Sequence, residues 1–385
     1  MHLHIVSFNV PYPADYGGVI DVFYRVKALS EAGVKVHLHC YHYGRRAAIE
    51  LERYCVEVNY YPRETTLKHA LRSRPYIVDS RCSQKLVARL DADEYPILLE
   101  GLHCCWLLEE LRKVKRPFQP HYRRLIMVRA HNVEHHYYGQ LAAAERRLWR
   151  KMYLASEAKK LLRYEPVLLQ ADAVLAITDA DRDHFASIGC TEVLTLPTSH
   201  QHPAVTARPG QGSYALYQAD LSVPENIQAV RYLTTQIFHH SSHRLIIAGR
   251  NPDKAVVALA RRHRNINLVA NPTDEYMDKL IGDAQVNIMV TNQPTGIKLK
   301  LIHALYCGRH CLVNSHMVAG TQLGALCHVA DNPQQQLQTL DQLMKKPFSD
   351  TDIQSRRHLL ESTYSNHHNA DQLIQIVQKI GKNMQ

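Results

Sequence analysis

The residues best suited to chemistry lie in three short segments and one loop. In "TNQPTGIKLKLIHALYCGRH", Thr295, Gly296, Ile297 and Lys298 stand at the opening of a helical pattern just beyond an apolar strand pattern. Backbone N–H groups, the positive end of the helix dipole and an ammonium then converge on one point, which suits a phosphate-type leaving group as it gains negative charge. Arg250 ends the strand pattern "LIIAGR", just before Asn251, and would bring a second cation to the same sheet edge. Gly17 and Gly18 precede another helix, where close backbone approach and unsatisfied N–H groups make an anion site. His131 closes the strand pattern "RLIMVRAHN", where ligand clefts form in wound α/β folds. Each of these has a plainer explanation as well: surface cations at strand ends, glycines in a turn, a structural histidine. Residue type alone leaves both readings open.

Alternating strand and helix patterns must carry these positions. "HLHIVSFNV", the loop "PYPADYGG" and a helix with Val19, Val22, Phe23, Val26 and Leu29 on one face read as strand, glycine loop and helix. Gly33 ends that helix, and Val34, Val36, Leu38 and Cys40 then alternate inward as a second strand. Strands follow at "YPILLEG", "RLIMVRAHN", "ADAVLAIT" and "EVLTLPT", with a long amphipathic helix predicted from Tyr138 to about Gln170. After the polar stretch Thr198 to Ser213 the alternation restarts, with strands at "SYALYQADL", "HRLIIAGR", "INLVAN", "QVNIMVT" and "HCLVN" separated by helices. The expected fold class is therefore α/β, two Rossmann-like doubly wound parallel-sheet domains facing across a cleft. Expected boundaries are 1–197, a linker at 198–213, a second domain at 214–364 and a C-terminal helix at 365–385 that packs back on the first domain.

Composition narrows the class. A chain of 385 residues with 45% hydrophobic and 21% charged residues has the balance of a two-domain globular protein. No apolar run approaches the roughly 20 residues that span a bilayer, so a cytoplasmic protein is expected. Nine cysteines without a Cys-x-x-Cys pair, Cys104 and Cys105 adjacent, read as reduced thiols. Lysine and arginine (46) exceed aspartate and glutamate (36), most densely between Arg112 and Lys160. That stretch suits an anionic membrane surface or lipid phosphate as well as a merely solvated face, and no nucleic-acid signature accompanies it. The Asp91/Asp93 and Asp179/Asp181 pairs imitate metal-binding acids, but Asp179 is better placed to cap a helix, and Asn132 and Glu134 are open to a capping role too. No His-x-x-x-His pair is matched to a further ligand among the 25 histidines, so no metal site is expected.

The order "GGVIDVFYRVKALSEAGVKVHLHCY", "RAHNVEHHYYGQLA", "LLQADAVLAITDADRDHF", "DLSVPENIQAV", "IIAGRNP" and "TGIKLKLIHALYCGRHCLVN" resembles the family 4 glycosyltransferases, in a bacterial branch, over nearly the whole chain. The resemblance implies a GT-B fold and transfer of a sugar, with retention of configuration, from a nucleotide diphosphate sugar to a glycan or lipid-linked acceptor. It needs no cofactor and no metal. Donor-binding positions implied are Gly17, Gly18, Asp220, Arg250, Asn251, Thr295, Gly296, Ile297, Lys298 and His303, with His131, Arg250 and Lys298 at the reacting centre.

One departure matters. The family commonly has a glutamate where His303 stands, to receive the ribose hydroxyls, and a neutral imidazole accepts one hydrogen bond where a carboxylate accepts several. Two other readings stand beside the leading one: an epimerase or glycosyl phosphorylase, since these also use paired Rossmann-like domains, and, from the His303 departure, a non-catalytic scaffold or nucleotide-sugar sensor.

Overall fold

The computed structural model describes residues 1–113, 123–145, 147–293 and 296–383. The chain divides into two compact units, Met1–Gln201 joined by Tyr364–Gln385, and His202–Thr363.

In the first unit, β1 (His2–Ser7), β2 (Lys35–His42), β3 (Glu57–Pro62), β4 (Ile97–Glu100), β5 (Ile126–Ala130), β6 (Ala173–Ala176) and β7 (Val193–Thr195) form one parallel sheet in the order β3-β2-β1-β4-β5-β6-β7. In the second, β8 (Tyr214–Gln218), β9 (Arg244–Gly249), β10 (Ile266–Ala270), β11 (Val286–Met289), β12 (His310–Val313) and β13 (His328–Val329) run β10-β9-β8-β11-β12-β13. Both are the doubly wound Rossmann-like pattern that the alternation predicts. Each has a switch point where the winding reverses, between β1 and β4 and between β8 and β11, and ligands bind such folds beyond the strands' carboxyl ends there.

Several local expectations change. β3 and β13 have no counterpart among the expected strands, because "EVNYYP" is only half buried and the last strand is two residues long. The long helix is interrupted: Glu134–Ala144 ends at the extended residue Glu145, Leu148–Tyr164 follows, and a 3-10 turn Glu165–Gln170 carries Pro166, which cannot donate a helical hydrogen bond. The helix at Asp179–Ser187 is capped not by Asp179 but by Thr178, which accepts from the Asp181 N–H. Nor do Asn132 and Glu134 cap the helix that follows β5; its N-cap is Val133, and Glu134 is buried in its first turn. The C-terminal helix Asn366–Asn383 lays Ala370, Leu373, Ile376 and Val377 into the core of the first unit.

Both faces of β2 are buried, so the strand does not alternate inward and outward as expected; His37 and His39 are as enclosed as Val36 and Leu38. His37 meets His2 and Glu57, and His39 belongs to a hydrogen-bonded chain. Tyr61 Oη lies 3.1 Å from His39 Nδ1, His39 Nε2 lies 2.8 Å from His4 Nδ1, and His4 Nε2 lies 2.8 Å from an Asp93 oxygen. One consistent assignment has the tyrosine hydroxyl donate to His39, His39 to His4 and His4 to the carboxylate, which requires both imidazoles neutral. Burial accordingly pushes His4 down to about 4 and His39 to about 3. The unfolded chain takes up these protons near pH 6.5 and the folded chain only well below it. The contribution of these two rings to stability is therefore complete above pH 6.5 and falls as pH drops toward 4, by about 1.4 kcal/mol per pH unit for each ring. Urea melts at pH 7, 6 and 5 should show this loss, and His39→Asn should reduce the slope by about 1.4 kcal/mol per pH unit even if it lowers stability throughout.

Candidate functional site

In the second unit the loops after β8, β9 and β11 carry Asp220, Arg250, Asn251, Gly296, Ile297 and Lys298 to one sheet edge. Thr295 lies outside the described residues. Gly249 makes the edge compact, since a Cβ there would stand 1.7 Å from the Ala219 carbonyl oxygen. Asp220 turns its own loop, accepting from the Ser222 N–H at 3.0 Å and hydroxyl at 2.7 Å. Asn251 sits at φ 50, its N–H donating to Asn271 at 2.8 Å, and Arg250 is paired at 2.8 Å with Asp274 on the surface.

The helices at this edge differ in one respect. Lys254–Arg261 and Asp274–Asp283, away from the switch point, are capped by Asp253 and Thr273. Pro224–Tyr232 and Leu299–Cys307, which start at it, have no side-chain cap. A helix start that no side chain caps is where an anion can bind, although Pro224 has no N–H to give and the Leu301 N–H is already bonded to the Lys298 carbonyl at 2.8 Å. The loop leading to Leu299–Cys307 is anchored at its other end, where Asn314 donates to the Thr291 carbonyl at 2.7 Å and the Thr291 hydroxyl binds Glu225.

Sequence reasoning overlooked Lys300. Its ammonium is drawn inward 5.3 Å from the centre of the Tyr217 ring and 3.4 Å from Asn226, and burial together with the charge of Lys298 pulls it down to about 8. Two ammonium groups thus gather at one helix start. His303 lies deeper in the same helix with its Nε2 2.6 Å from Asp278. Burial opposes its protonation, but Asp278 and Cys307 outweigh that and raise it to about 9.

In the first unit, His131 follows β5 and meets residues from the switch point between β1 and β4. Its Nε2 lies 2.8 Å from Glu100 and its Nδ1 3.5 Å from Asp21. Asp21 also receives the Ser199 N–H at 2.6 Å and pairs with Arg25 at 2.5 Å and Arg129 at 3.3 Å, while Arg25 reaches across to Glu100. Arg129 further donates to the carbonyls of Ala176 and Pro197, each at 3.2 Å. All five side chains are buried. Burial disfavours ionisation of Asp21 and Glu100, yet the guanidinium groups outweigh it and hold both carboxyls below their usual range; burial pulls Arg129 down to about 10. Two carboxylates and two guanidiniums balance, so the quintet fixes the His131 ring without stranding a charge. The signal in the sequence was charge on apolar faces: Asp21 and Arg25 among Val22 and Val26, and Arg129 inside "LIMVRA".

The ring of Phe8 stands edge-on to His131, 5.4 Å between centres. Gly18 is what admits it, because a Cβ there would come within 2.6 Å of the Phe8 ring, so this glycine has a packing task at the start of an uncapped helix. Arg81, almost wholly buried, donates to the Phe8 carbonyl at 3.0 Å; with Arg63 it flanks the Tyr43 ring at 5.9 and 4.3 Å. Burial raises the Glu134 carboxyl to about 7 against the opposing charge of Arg81.

Among the described residues, potential metal-ligating groups include Asp21/Glu100/His131 and His202/His303/Cys307. The first is occupied by arginines. The second brings together residues a hundred positions apart, which spacing in the sequence could not reveal.

No family model matches the chain. A protein of Klebsiella pneumoniae, described as an uncharacterized 44.6 kDa protein in the cps region, is 23% identical over 345 residues, 83% of each chain. Solved structures similar to the chain include a glycosyltransferase from Rickettsia africae (TM-score 0.63, 12% identity, 99% of each chain). The apo lipopolysaccharide outer core galactosyltransferase WaaB matches with TM-score 0.65 and 11% identity, over 98% of this chain and 100% of that one. Anabaena HepE, in complex with UDP and glucose, matches with TM-score 0.60 and 12% identity, over 100% and 99%. The architecture is the GT-B fold.

The charged quintet has a measurable weight. Asp21→Ala leaves Arg25 and Arg129 with one carboxylate between them and should destabilise the protein by about 3–5 kcal/mol in denaturant melts. The Asp179→Ala change, at a partly exposed surface pair with Arg182, should cost no more than about 1 kcal/mol.

Proposed function

We propose that the chain is a glycosyltransferase that moves a sugar from a nucleotide diphosphate donor to a glycan or lipid-linked acceptor with retention of configuration. The observation that carries this is the uncapped start of Leu299–Cys307 with Lys298 and Lys300, at the switch point of a fold shared end to end with proteins named as glycosyltransferases. HepE, solved in complex with UDP and glucose, supports a nucleotide-sugar donor.

The donor diphosphate takes the open N–H groups and the two ammoniums, whose charge stabilises the departing nucleoside diphosphate without a metal ion at the phosphates. Arg250 exchanges its exposed Asp274 partner for a donor phosphate. His131, oriented by Glu100, is the side chain of the first unit assigned to the reacting centre, and the first unit is assigned the acceptor. Asp278 occupies the nitrogen of His303 that would serve a ribose hydroxyl, and this favours the scaffold or sensor reading as the second choice.

A thermal-shift screen against UDP, GDP, ADP and their sugar conjugates tests the donor site. One base should stabilise the protein by about 2.7 kcal/mol at a hundredfold excess over Kd. Lys298→Ala and Lys300→Met should each weaken that binding at least tenfold, about 1.4 kcal/mol. Stabilisation without transfer to any acceptor would select the sensor, and no stabilisation by any nucleotide would overturn the donor site.

Peripheral attachment to an anionic membrane belongs to the same proposal, though on fewer cations than the sequence suggested. Within the basic stretch, Arg112 and Arg123 pair with Asp172, Arg124 with Asp93 and Lys160 with Glu157; residues 114–122 and 146 lie outside the described residues. Lys113, Arg123 and Lys159 stay exposed, and the start of Leu148–Tyr164 adds Trp149, 65% exposed, and Met152, 72% exposed, beside Arg147, Arg150 and Lys151. Apolar side chains flanked by cations suit a headgroup layer. Among the described residues no helix is long and apolar enough to cross a membrane. Sedimentation with anionic vesicles should show binding that weakens about tenfold in Trp149→Ser/Met152→Ser and falls with added salt, whereas equal partition to neutral vesicles would refute it.

A further inference from the structure

The group His202, His303 and Cys307 lies in the second unit, outside the arrangement assigned to the phosphates. His303 and Cys307 are four positions apart on Leu299–Cys307 and so share one face of the helix; His202 arrives from the opening of the unit. One ligand atom from each residue lies within 4.8 Å of the others. Cys307 Sγ and His202 Nδ1 are 3.5 Å apart, and the His202 and His303 rings are 4.5 Å apart.

These values have a chemical meaning. Bonds of about 2.3 Å to sulfur and about 2.0–2.1 Å to nitrogen, held at tetrahedral angles, separate the two ligand atoms by about 3.5 Å. His303 is also oriented as zinc-ligating histidines are. Its Nε2 is 2.6 Å from the Asp278 carboxylate, and an N–H donated there leaves Nδ1 as the nitrogen with a lone pair to give. Tyr306 stacks on the His202 ring at 5.5 Å and limits its rotation. The other histidine groups are spent on neighbours. His4 and His37 are bonded to Asp93 and Glu57, and His135 and His184 to the same Glu165 carboxylate.

We infer that His202, His303 and Cys307 bind a single zinc-class divalent ion in tetrahedral geometry, with Asp278 orienting His303 and the fourth position open to water. Two imidazoles and a thiolate select a borderline-soft ion over magnesium or calcium, which take oxygen ligands. On binding, the Cys307 thiol proton and any proton on His303 Nδ1 are released to solvent, and the ion takes their places. The ion ties the opening of the second unit to the helix whose start carries Lys298 and Lys300, so it acts as a structural clamp. The inference does not depend on what reaction, if any, the chain performs.

The probe is Co²⁺, followed by Zn²⁺ competition, on tag-free, chelator-stripped full-length protein. One equivalent should bind with the intense visible absorption of tetrahedral cobalt and a thiolate charge-transfer band, and Zn²⁺ should displace it. Cys307→Ser should remove the charge-transfer band, His202→Ala should weaken binding at least tenfold, and Asp278→Asn should weaken it about 10–100-fold with the band retained. A simple S–H···N hydrogen bond between Cys307 and His202 predicts no such spectrum. Its absence in folded wild-type protein, or a spectrum and affinity unchanged in both Cys307→Ser and His202→Ala, would overturn the site and assign any binding to other histidines. Circular dichroism identifies any variant that fails to fold, and either of the remaining two then decides.

Discussion

The first unit depends on a decision about charge. Five ionisable side chains meet below its switch point, and taking two carboxylates and two guanidiniums out of water costs several kcal/mol per ion unless geometry repays it. Here the repayment is structural. Asp21 and Arg25 come from the first helix, Glu100 from the end of β4, Arg129 from β5, and the carbonyl and N–H partners from the segment Leu196–Ser199. The quintet therefore cross-links the first helix, β4, β5 and the segment after β7. Hydrophobic residues of the same volume could hold these elements as firmly, but they could not orient an imidazole through a carboxylate at its Nε2. That difference explains why a polar network sits where apolar packing is available.

The second unit reaches a comparable result with backbone. Gly249 lets the loop after β8 lie against the end of β9, and the helices that begin at the switch point leave their first N–H groups unguarded while their neighbours are capped. Positive potential there comes from peptide dipoles and from Lys298 and Lys300, the latter depressed mainly by burial, with Glu225 opposing and the charge of Lys298 adding to it. An anion relieves both conditions at once, because it satisfies the N–H groups and separates the ammoniums' repulsion.

The winding of both sheets was legible because strands buried on both faces and amphipathic helices alternate with little interruption, and the loops at strand ends then had to carry the candidate residues. Lys298, Arg250 and His131 followed from that logic. What could not be read was tertiary pairing. Lys300 reads as one more helical lysine until Tyr217 and Asn226 draw it in. Glu100 is merely the last residue of an apolar strand until Arg25 and His131 arrive from other elements. The group around His303 unites positions 202, 278, 303 and 307, and no periodicity links the first two to the rest. The strand β3 was missed for a different reason: its half-burial weakens the alternation on which strand recognition rests.

The return of the last helix to the first unit makes that unit discontinuous, while His202–Thr363 is one uninterrupted stretch. During synthesis the second unit can close as soon as it emerges. The first cannot, because Leu373, Ile376 and Val377 complete a core whose opening strand left the ribosome more than three hundred residues earlier. Until then an apolar groove against Gly17–Glu31 stands open. The helix that bears the charged quintet's Asp21 and Arg25 is thus the one whose environment is finished last, and a chain ending near residue 364 would carry a complete second unit beside a first whose core lacks its closing helix.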